Sequence, residues 1–224
     1  MKNSALYWSG GLGYRVISNV SRSFLTSLLL AGLLLSGTNP ANAQVVSPAP
    51  LVSIPTHDAF FASIKQLCGK AFSGKVTLDN QGPSSMSEAP LVMHIRKCTD
   101  QQLQIPFHVG NDASRTWIIT KTGSGLSLKH DHRQADGSHD KSTMYGGHTQ
   151  DAGWAQVQSF PVDQYSKELF ARSGTPQSST NIWQMYIYPD VFTYRLIREG
   201  REFRVDFDLS QETPPPAAPW GYRD

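Results

Sequence analysis

The sequence is poor in the motifs from which an enzymatic activity is usually inferred. It has two cysteines, Cys68 and Cys98, and they form no C-x-x-C pair of the kind used in thiol redox catalysis. No G-x-S-x-G, H-E-x-x-H, P-loop or G-x-G-x-x-G motif is present, so the common nucleophile, zinc-protease and nucleotide sites have no support. The absence of a recognisable catalytic motif therefore favours a role other than catalysis. A Ser–His–Asp site assembled from distant strands stays open, because triads are recognised by geometry.

The chain also lacks an apolar run long enough for a membrane-spanning helix. The run at residues 24–35 has 12 residues, whereas a spanning helix needs about 20. Three basic residues and no acidic ones precede the run, and an A-x-A sequence ending at Ala43 follows it. This is the pattern of a secretory signal. We predict a signal peptide over residues 1–43, cleavage near Ala43-Gln44, and a periplasmic or secreted protein with no membrane span; an uncleaved anchor is the competing interpretation.

A large excess of charge is missing as well. The whole chain has 20 basic and 18 acidic residues, and removal of the signal leaves 17 basic residues against 18 acidic ones. A nearly neutral domain offers no electrostatic footprint for nucleic acid. The composition therefore indicates a protein that does not bind nucleic acid, and it leaves the oligomeric state open.

The two cysteines both lie in the part of the chain that we expect to be exported. Cysteines in an oxidising compartment usually pair, so we predict a disulfide between Cys68 and Cys98. Two buried thiols are the alternative. Closing a loop of this size stabilises the fold by about 3–4 kcal/mol in the chain-entropy treatment.

Composition divides the exported chain into a domain with two unstructured ends. Residues 44–56 form a Pro-spaced lead-in, and residues 212–224 form a Pro-rich tail; both are predicted to be disordered. The domain is predicted over residues 57–211. It opens with a helix at 57–69, because apolar residues recur there at three- and four-residue spacing, and a second helix is predicted at 162–172.

The rest of the domain changes to a period of two, which is typical of strands with one buried face. Turn residues separate ten short segments of this kind. The predicted strands are residues 74–78, 91–98, 104–109, 115–122, 126–133, 141–145, 153–160, 182–188, 192–198 and 202–209. Short connections favour an all-β fold, an antiparallel up-and-down barrel of lipocalin-like architecture, with a β-sandwich as the alternative. A barrel of this size either fills with side chains or holds one small ligand.

Four of the seven histidines fall within residues 126–148. Alternation places Leu126, Leu128, His130 and His132 on one face of the predicted strand, opposite an entirely polar face. We therefore expect His130 and His132 to point into the barrel. Imidazoles at i and i+2 can chelate one divalent transition metal, and His148 is a candidate third ligand. Satisfied interior histidines and a polar ligand pocket are the alternatives.

Other candidate binding residues come from neighbouring strands. His94 and Arg96 share a face, and an inward Arg96 guanidinium fits a carboxylate or a neighbouring aspartate. Aromatic residues on strands are typical of a barrel core and of a ligand-holding wall alike. The complete candidate ligand-binding set is His94, Arg96, Trp117, His130, His132 and Tyr145.

Short motifs indicate a relationship to a known group of proteins. They are CG at 68–69, PFHVG at 106–110, SRTW at 114–117, LKHDHR at 128–133, MYGG at 144–147 and FP at 160–161. In these motifs the chain resembles a family of bacterial secreted proteins without an assigned activity. Its architecture is similar to that of lipocalins, although residues 69–74 read GKAFSG and lack the lipocalin G-x-W.

These observations lead to three hypotheses about function. The first is an extracytoplasmic β-barrel that binds a small, partly apolar ligand. The second is a metal-binding or metal-dependent protein centred on His130 and His132. The third is an interaction protein of the cell envelope, which would expose an apolar patch rather than enclose a cavity.

Overall fold

The computed structural model describes residues 53–223, and the predicted signal peptide and most of the predicted lead-in lie outside this range. Within it, no helix is both long and apolar enough to cross a membrane. Helices α1, α2 and α3 span Pro55–Lys65, Ser85–Glu88 and Gln164–Arg172, and a short 3-10 helix spans Pro176–Thr180. The strands of the described chain are β1 (Ala71–Asp79), β2 (Leu91–His94), β3 (Lys97–Cys98), β4 (Gln102–Val109), β5 (Asp112–Thr122), β6 (Gly125–His132), β7 (Tyr145–His148), β8 (Val157–Pro161), β9 (Ile182–Tyr188), β10 (Val191–Arg198) and β11 (Arg201–Thr213).

The strands form a nearly closed, ten-strand antiparallel barrel. Their order is β7-β6-β5-β4-β2-β1-β11-β10-β9-β8, and the two-residue β3 pairs with β4 beside this path. Along this path, neighbouring strands follow one another in sequence, apart from the pairing of β1 with β11, which joins the first strand to the last. The two ends of the path are β7 and β8. The predicted all-β, up-and-down barrel is therefore confirmed.

The ends of the strand path, β7 and β8, meet at a seam with few backbone contacts. A single bridge joins Gly147 to Val162, and the Asp163 amide donates to the Gly146 carbonyl at 3.0 Å. A Cβ on Gly146 would overlap the carbonyl oxygen of Leu128, and one on Gly147 would overlap those of Phe160 and Pro161. Both positions need glycine because backbone atoms of the neighbouring strands lie against them.

Helix α1 closes one end of the barrel. Proline at its first position and an acidic residue in its first turn favour a helix start at Pro55. Its side chains Phe60, Phe61 and Ile64 are completely buried in the core. The predicted Cys68–Cys98 disulfide is present and ties the segment after α1 to β3, so the helix is held covalently at this end.

Several predicted segments differ from the structure. The strand predicted at 153–160 starts only at Val157, and the strand predicted at 91–98 is divided into β2 and β3. Residues 141–145 do not form a strand: β7 starts only at Tyr145, and Met144 has a φ of 57°. The Asp140 carboxylate accepts a hydrogen bond from the Ser142 amide at 2.7 Å. Such a local bond stabilises a turn in competition with a strand ladder.

The Pro-rich tail is packed on the barrel, in contrast to the disorder that its composition predicts. Strand β11 continues to Thr213, and the Trp220 amide then donates to the Ala113 carbonyl at 3.0 Å. The Tyr222 hydroxyl donates to the Asp131 carboxylate at 2.6 Å. An extended proline segment needs no hydrogen-bond ladder of its own, so the tail is held by contacts near its end, the Trp220 amide and the Tyr222 hydroxyl.

Candidate ligand-binding cavity

A cavity of about 510 Å³ occupies the end of the barrel opposite α1. Asp79, His132 and Arg198 line it at the last residues of β1, β6 and β10, and Arg201 lines it at the first residue of β11. In an antiparallel barrel these ends meet at one rim. The full lining is Asp79, Ser84, Met86, Phe107, Arg115, Trp117, His130, His132, Ser142, Tyr145, Phe170, Ser173, Thr175, Ser178, Asn181, Trp183, Tyr194, Leu196, Arg198, Arg201 and Phe203.

Stacked aromatic rings form the floor of this cavity. The Trp117 ring lies 4.9 Å from the ring of Phe107 and 4.6 Å from that of Tyr194, with interplanar angles of 18° and 16°. Trp117 belongs to β5 and Tyr194 to β10, which lie on opposite sides of the strand order. The stack therefore crosses the barrel, and below it the interior is filled by Phe192, Phe207 and their neighbours.

His130 stands in the wall just above the floor, on the face that alternation predicts. It is 3% exposed, and its ring stacks on Tyr145 at 4.6 Å. Its Nδ1 lies 3.2 Å from the Tyr145 carbonyl, which can only accept, so Nδ1 carries the proton. Its Nε2 therefore accepts from the Tyr194 hydroxyl at 2.9 Å. Both ring nitrogens are occupied by the protein itself.

His132 continues this hydrogen-bonded wall toward the rim. Its Nε2 lies 3.0 Å from the Tyr145 hydroxyl. Burial lowers the pKa of His132 to about 4. Burial, followed by the neighbouring His132, lowers the pKa of His130 to about 3. Burial also raises the pKa of Tyr145 to about 12. All three groups are therefore neutral at pH 7, and the wall offers dipoles rather than charge.

Charged side chains lie at the rim. The Arg115 guanidinium donates to the Asp112 carboxylate at 2.6 Å, and Arg201 pairs with Asp79. Arg198 donates from Nη1 to the amide oxygen of Asn181 at 3.3 Å. A floor of aromatic rings, a neutral polar wall and a cationic rim together can hold a flat, partly apolar molecule by its face and its polar end.

The structure brings together four of the six predicted ligand-binding residues. Trp117, His130, His132 and Tyr145 all line the cavity, whereas His94 and Arg96 are not part of its lining. On β2 and after it, Leu91, Met93 and Ile95 are the buried, inward residues, so the alternate positions 94 and 96 face outward. The Arg96 guanidinium donates to the backbone carbonyl of Arg223 at 2.6 Å and lies over the ring of Tyr222.

The structure does not assemble the predicted metal set. His148 lies at the other end of the barrel, where its Nε2 is 2.7 Å from the Thr122 hydroxyl and its Nδ1 is 2.7 Å from the Thr149 carbonyl. Within residues 53–223, no group of three or more His, Cys, Asp or Glu side chains is placed to hold a metal ion. His130 and His132 thus have no third partner there.

Sequence reasoning missed the three arginines at the rim, although the sequence carries a signal for each. Each arginine is an even number of residues from a buried aromatic residue on its own strand and so shares its inward face. The pairs are Arg115 with Trp117, Arg198 with Tyr194, and Arg201 with Phe203. An arginine at the end of an inward-facing run is therefore a rim residue. Contributions from α3 and the 3-10 helix, such as Phe170 and Ser178, have no such signal.

Comparison of the chain with protein-family models, with curated proteins and with solved structures found no match. The resemblance to bacterial secreted proteins in the 128–133 and 144–147 motifs therefore stays a prediction, and the site has to be interpreted from its own geometry.

Proposed function

We propose that this protein is an extracytoplasmic β-barrel that binds one small, partly apolar molecule in the cavity at its open end. The observation that carries the proposal is the cavity itself: about 510 Å³, within the range of roughly 300–1,000 Å³ that is usual for small-molecule sites. A barrel evolved only as a packed scaffold would continue the stack of Trp117 and Tyr194 up to the rim.

The chemistry of the wall supports binding rather than catalysis. The buried imidazoles of His130 and His132 have low pKa values and donate or accept hydrogen bonds within the wall, so neither is poised as a base near neutral pH. Tyr145 likewise keeps its proton because burial raises its pKa. These groups fix the shape and polarity of the cavity.

The extracytoplasmic address rests on the predicted signal peptide, and the disulfide is compatible with it. The two other hypotheses gain no comparable support. A metal site at His130 and His132 has no third ligand in the described chain. The described chain exposes four large apolar side chains, Leu78, Trp154, Tyr165 and Tyr188. Exposed apolar side chains are common on folded proteins, so these four do not by themselves support an interaction surface.

The first test uses the neutral fluorophore N-phenyl-1-naphthylamine and the mature chain, residues 44–224. We expect saturable, one-site binding with enhanced fluorescence. Leu196→Trp introduces an indole into the cavity lining and should abolish binding, whereas Ile197→Trp, at the alternate position of the same strand, should bind as the wild type does. Equal binding by the wild type and the Leu196→Trp variant, or no binding by the wild type, would overturn the proposal.

Native mass spectrometry of the protein purified from the exported fraction provides an independent test. We expect a species heavier than the polypeptide by a few hundred daltons, which is lost on denaturation and is missing from the Leu196→Trp variant. Excess mass that persists in that variant would place the bound molecule elsewhere.

A further inference from the structure

The lining of the cavity contains more arginines than carboxylates. It includes Arg115, Arg198 and Arg201 but only one carboxylate, that of Asp79. Asp79 is engaged by Arg201, and Arg115 by Asp112 just outside the lining. Arg198, by contrast, forms no ion pair within residues 53–223, and its Nη1 donates a hydrogen bond to the neutral amide of Asn181.

Charged groups of both signs around the rim act on the wall. Arg115 lowers the pKa of His132, where it is the second cause after burial, and it also lowers that of Tyr145. Asp140 acts in the opposite direction on both groups, and Asp112 and Asp131 also do so on His132. Because His130 and His132 are neutral, no charge of the wall competes with an anion held at the rim.

Below the rim, the cavity is lined by aromatic rings that stack on one another. The Trp117 ring is stacked on those of Phe107 and Tyr194, and the rings of His130 and Tyr145 stack at 14°, so ring edges are left for contact with a ligand. Aromatic faces prefer offset-stacked or edge-on aromatic partners. A guanidinium group, in turn, offers a planar fork of donors that matches a carboxylate or sulfonate.

We propose that the molecule bound in this cavity is a ring-bearing organic acid, with its ring against the aromatic floor and its anionic group on Arg198. This inference rests on the proposed binding function and specifies the chemistry of the ligand. The half-buried position of Arg198 strengthens its interaction with an anion compared with a fully solvated arginine, because screening by water is weaker there.

A matched pair of probes separates the charge from the ring. 8-Anilinonaphthalene-1-sulfonate has the aromatic framework of N-phenyl-1-naphthylamine with one added sulfonate. We expect the wild type to bind the sulfonate at least about tenfold more tightly than the neutral amine, since a hydrogen bond to a charged group contributes about one power of ten in affinity or more. That advantage should shrink as salt is raised, while binding of the neutral amine stays constant.

Arg198→Met removes the proposed anion partner and should reduce the preference for the sulfonate by about tenfold, without changing the affinity for the neutral amine. The matched control is Arg195→Met, which removes the same charge from the same strand. Arg195 lies outside the lining and pairs with Glu202, so this variant should keep the full preference.

The outcomes distinguish the two proposals. If the neutral amine binds but the sulfonate has no advantage, or if Arg198→Met leaves that advantage intact, the inference about the acid is refuted and the binding function survives. If the neutral amine does not bind the wild type, the binding function itself fails. Unchanged affinity of Arg198→Met for the neutral amine shows that the variant is folded, so a selective loss of the sulfonate supports the inference.

Discussion

Closure of the barrel depends on a glycine, and Gly147→Ala tests this dependence. Gly147 bridges to Val162 across the seam, and a Cβ there would overlap the backbone carbonyls of Phe160 and Pro161. A flexible side chain could move away from an added methyl group, but a strand backbone can move only by opening the seam. The seam hydrogen bond from Asp163 to Gly146 would then be lost or lengthened.

The expected cost follows from these two effects. Overpacking in a well-packed region costs about 1–3 kcal/mol, and each lost hydrogen bond adds about 1 kcal/mol. We therefore expect Gly147→Ala to lower the free energy of unfolding by about 2–4 kcal/mol. For a domain of this size, that loss corresponds to a decrease in Tm of about 5–15 °C.

Urea denaturation of the mature protein, followed by tryptophan fluorescence, measures this loss. The matched control is Gly123→Ala, because Gly123 has open space around its Cβ position; it should change the free energy of unfolding by no more than about 0.5 kcal/mol. If Gly147→Ala also stays within about 0.5 kcal/mol of the wild type, the seam is not held as the structure shows. The same slope of free energy against urea in all three proteins keeps the comparison valid.

Three further predictions concern other parts of the fold. Replacing both Cys68 and Cys98 by alanine should lower the free energy of unfolding by about 3–4 kcal/mol; a loss below about 1 kcal/mol in urea denaturation would contradict this. Because the pKa of His130 is lowered to about 3 in the fold, the unfolded chain binds the extra proton below its ordinary pKa of about 6.5. The stability contributed by this neutral imidazole is therefore full above about pH 6.5 and is lost as the pH falls toward 3. His130→Gln should flatten that part of the curve of unfolding free energy against pH. An unaltered slope would refute the assignment. Tyr222→Phe removes the donor to the almost fully buried Asp131 carboxylate and should cost about 1.5–3 kcal/mol, with faster proteolysis of the tail; protection equal to the wild type would show that this bond does not anchor it.

The barrel and the inward face of its strands could be predicted from the sequence. Alternation and turn residues predicted the barrel, because a period of two fixes which side chains face inward whatever the final strand partner is. The same rule placed His130 on the inner face before any neighbour was known. The rule also applies to Arg198, and a systematic reading of strand ends for inward charges would have found it.

Other features are set by contacts between distant residues, which the sequence pattern does not encode. Alternation places Arg96 on the same face as His94, but it does not say whether that face is inside or outside. The burial of Met93 shows that the face of His94 and Arg96 is the outer one. The tail has the composition of a disordered segment, yet Tyr222 finds the Asp131 carboxylate 91 residues away. Histidine spacing likewise could not reveal that His148 bonds to Thr122 at the opposite end of the barrel.

The position of the cavity follows from an asymmetry between the two ends of the barrel. At one end α1 fills the interior with Phe60, Phe61 and Ile64, and the disulfide holds this plug in place. The other end has no equivalent apolar helix. The loops and short helices that line it contribute mainly serine, threonine and asparagine, with Met86 and Phe170 as their apolar side chains. Polar rim residues cannot supply the apolar volume needed to fill a barrel of ten strands. Unfilled space above the aromatic stack is therefore a consequence of the sequence, and a ligand with one apolar face and one charged end matches both boundaries of that space.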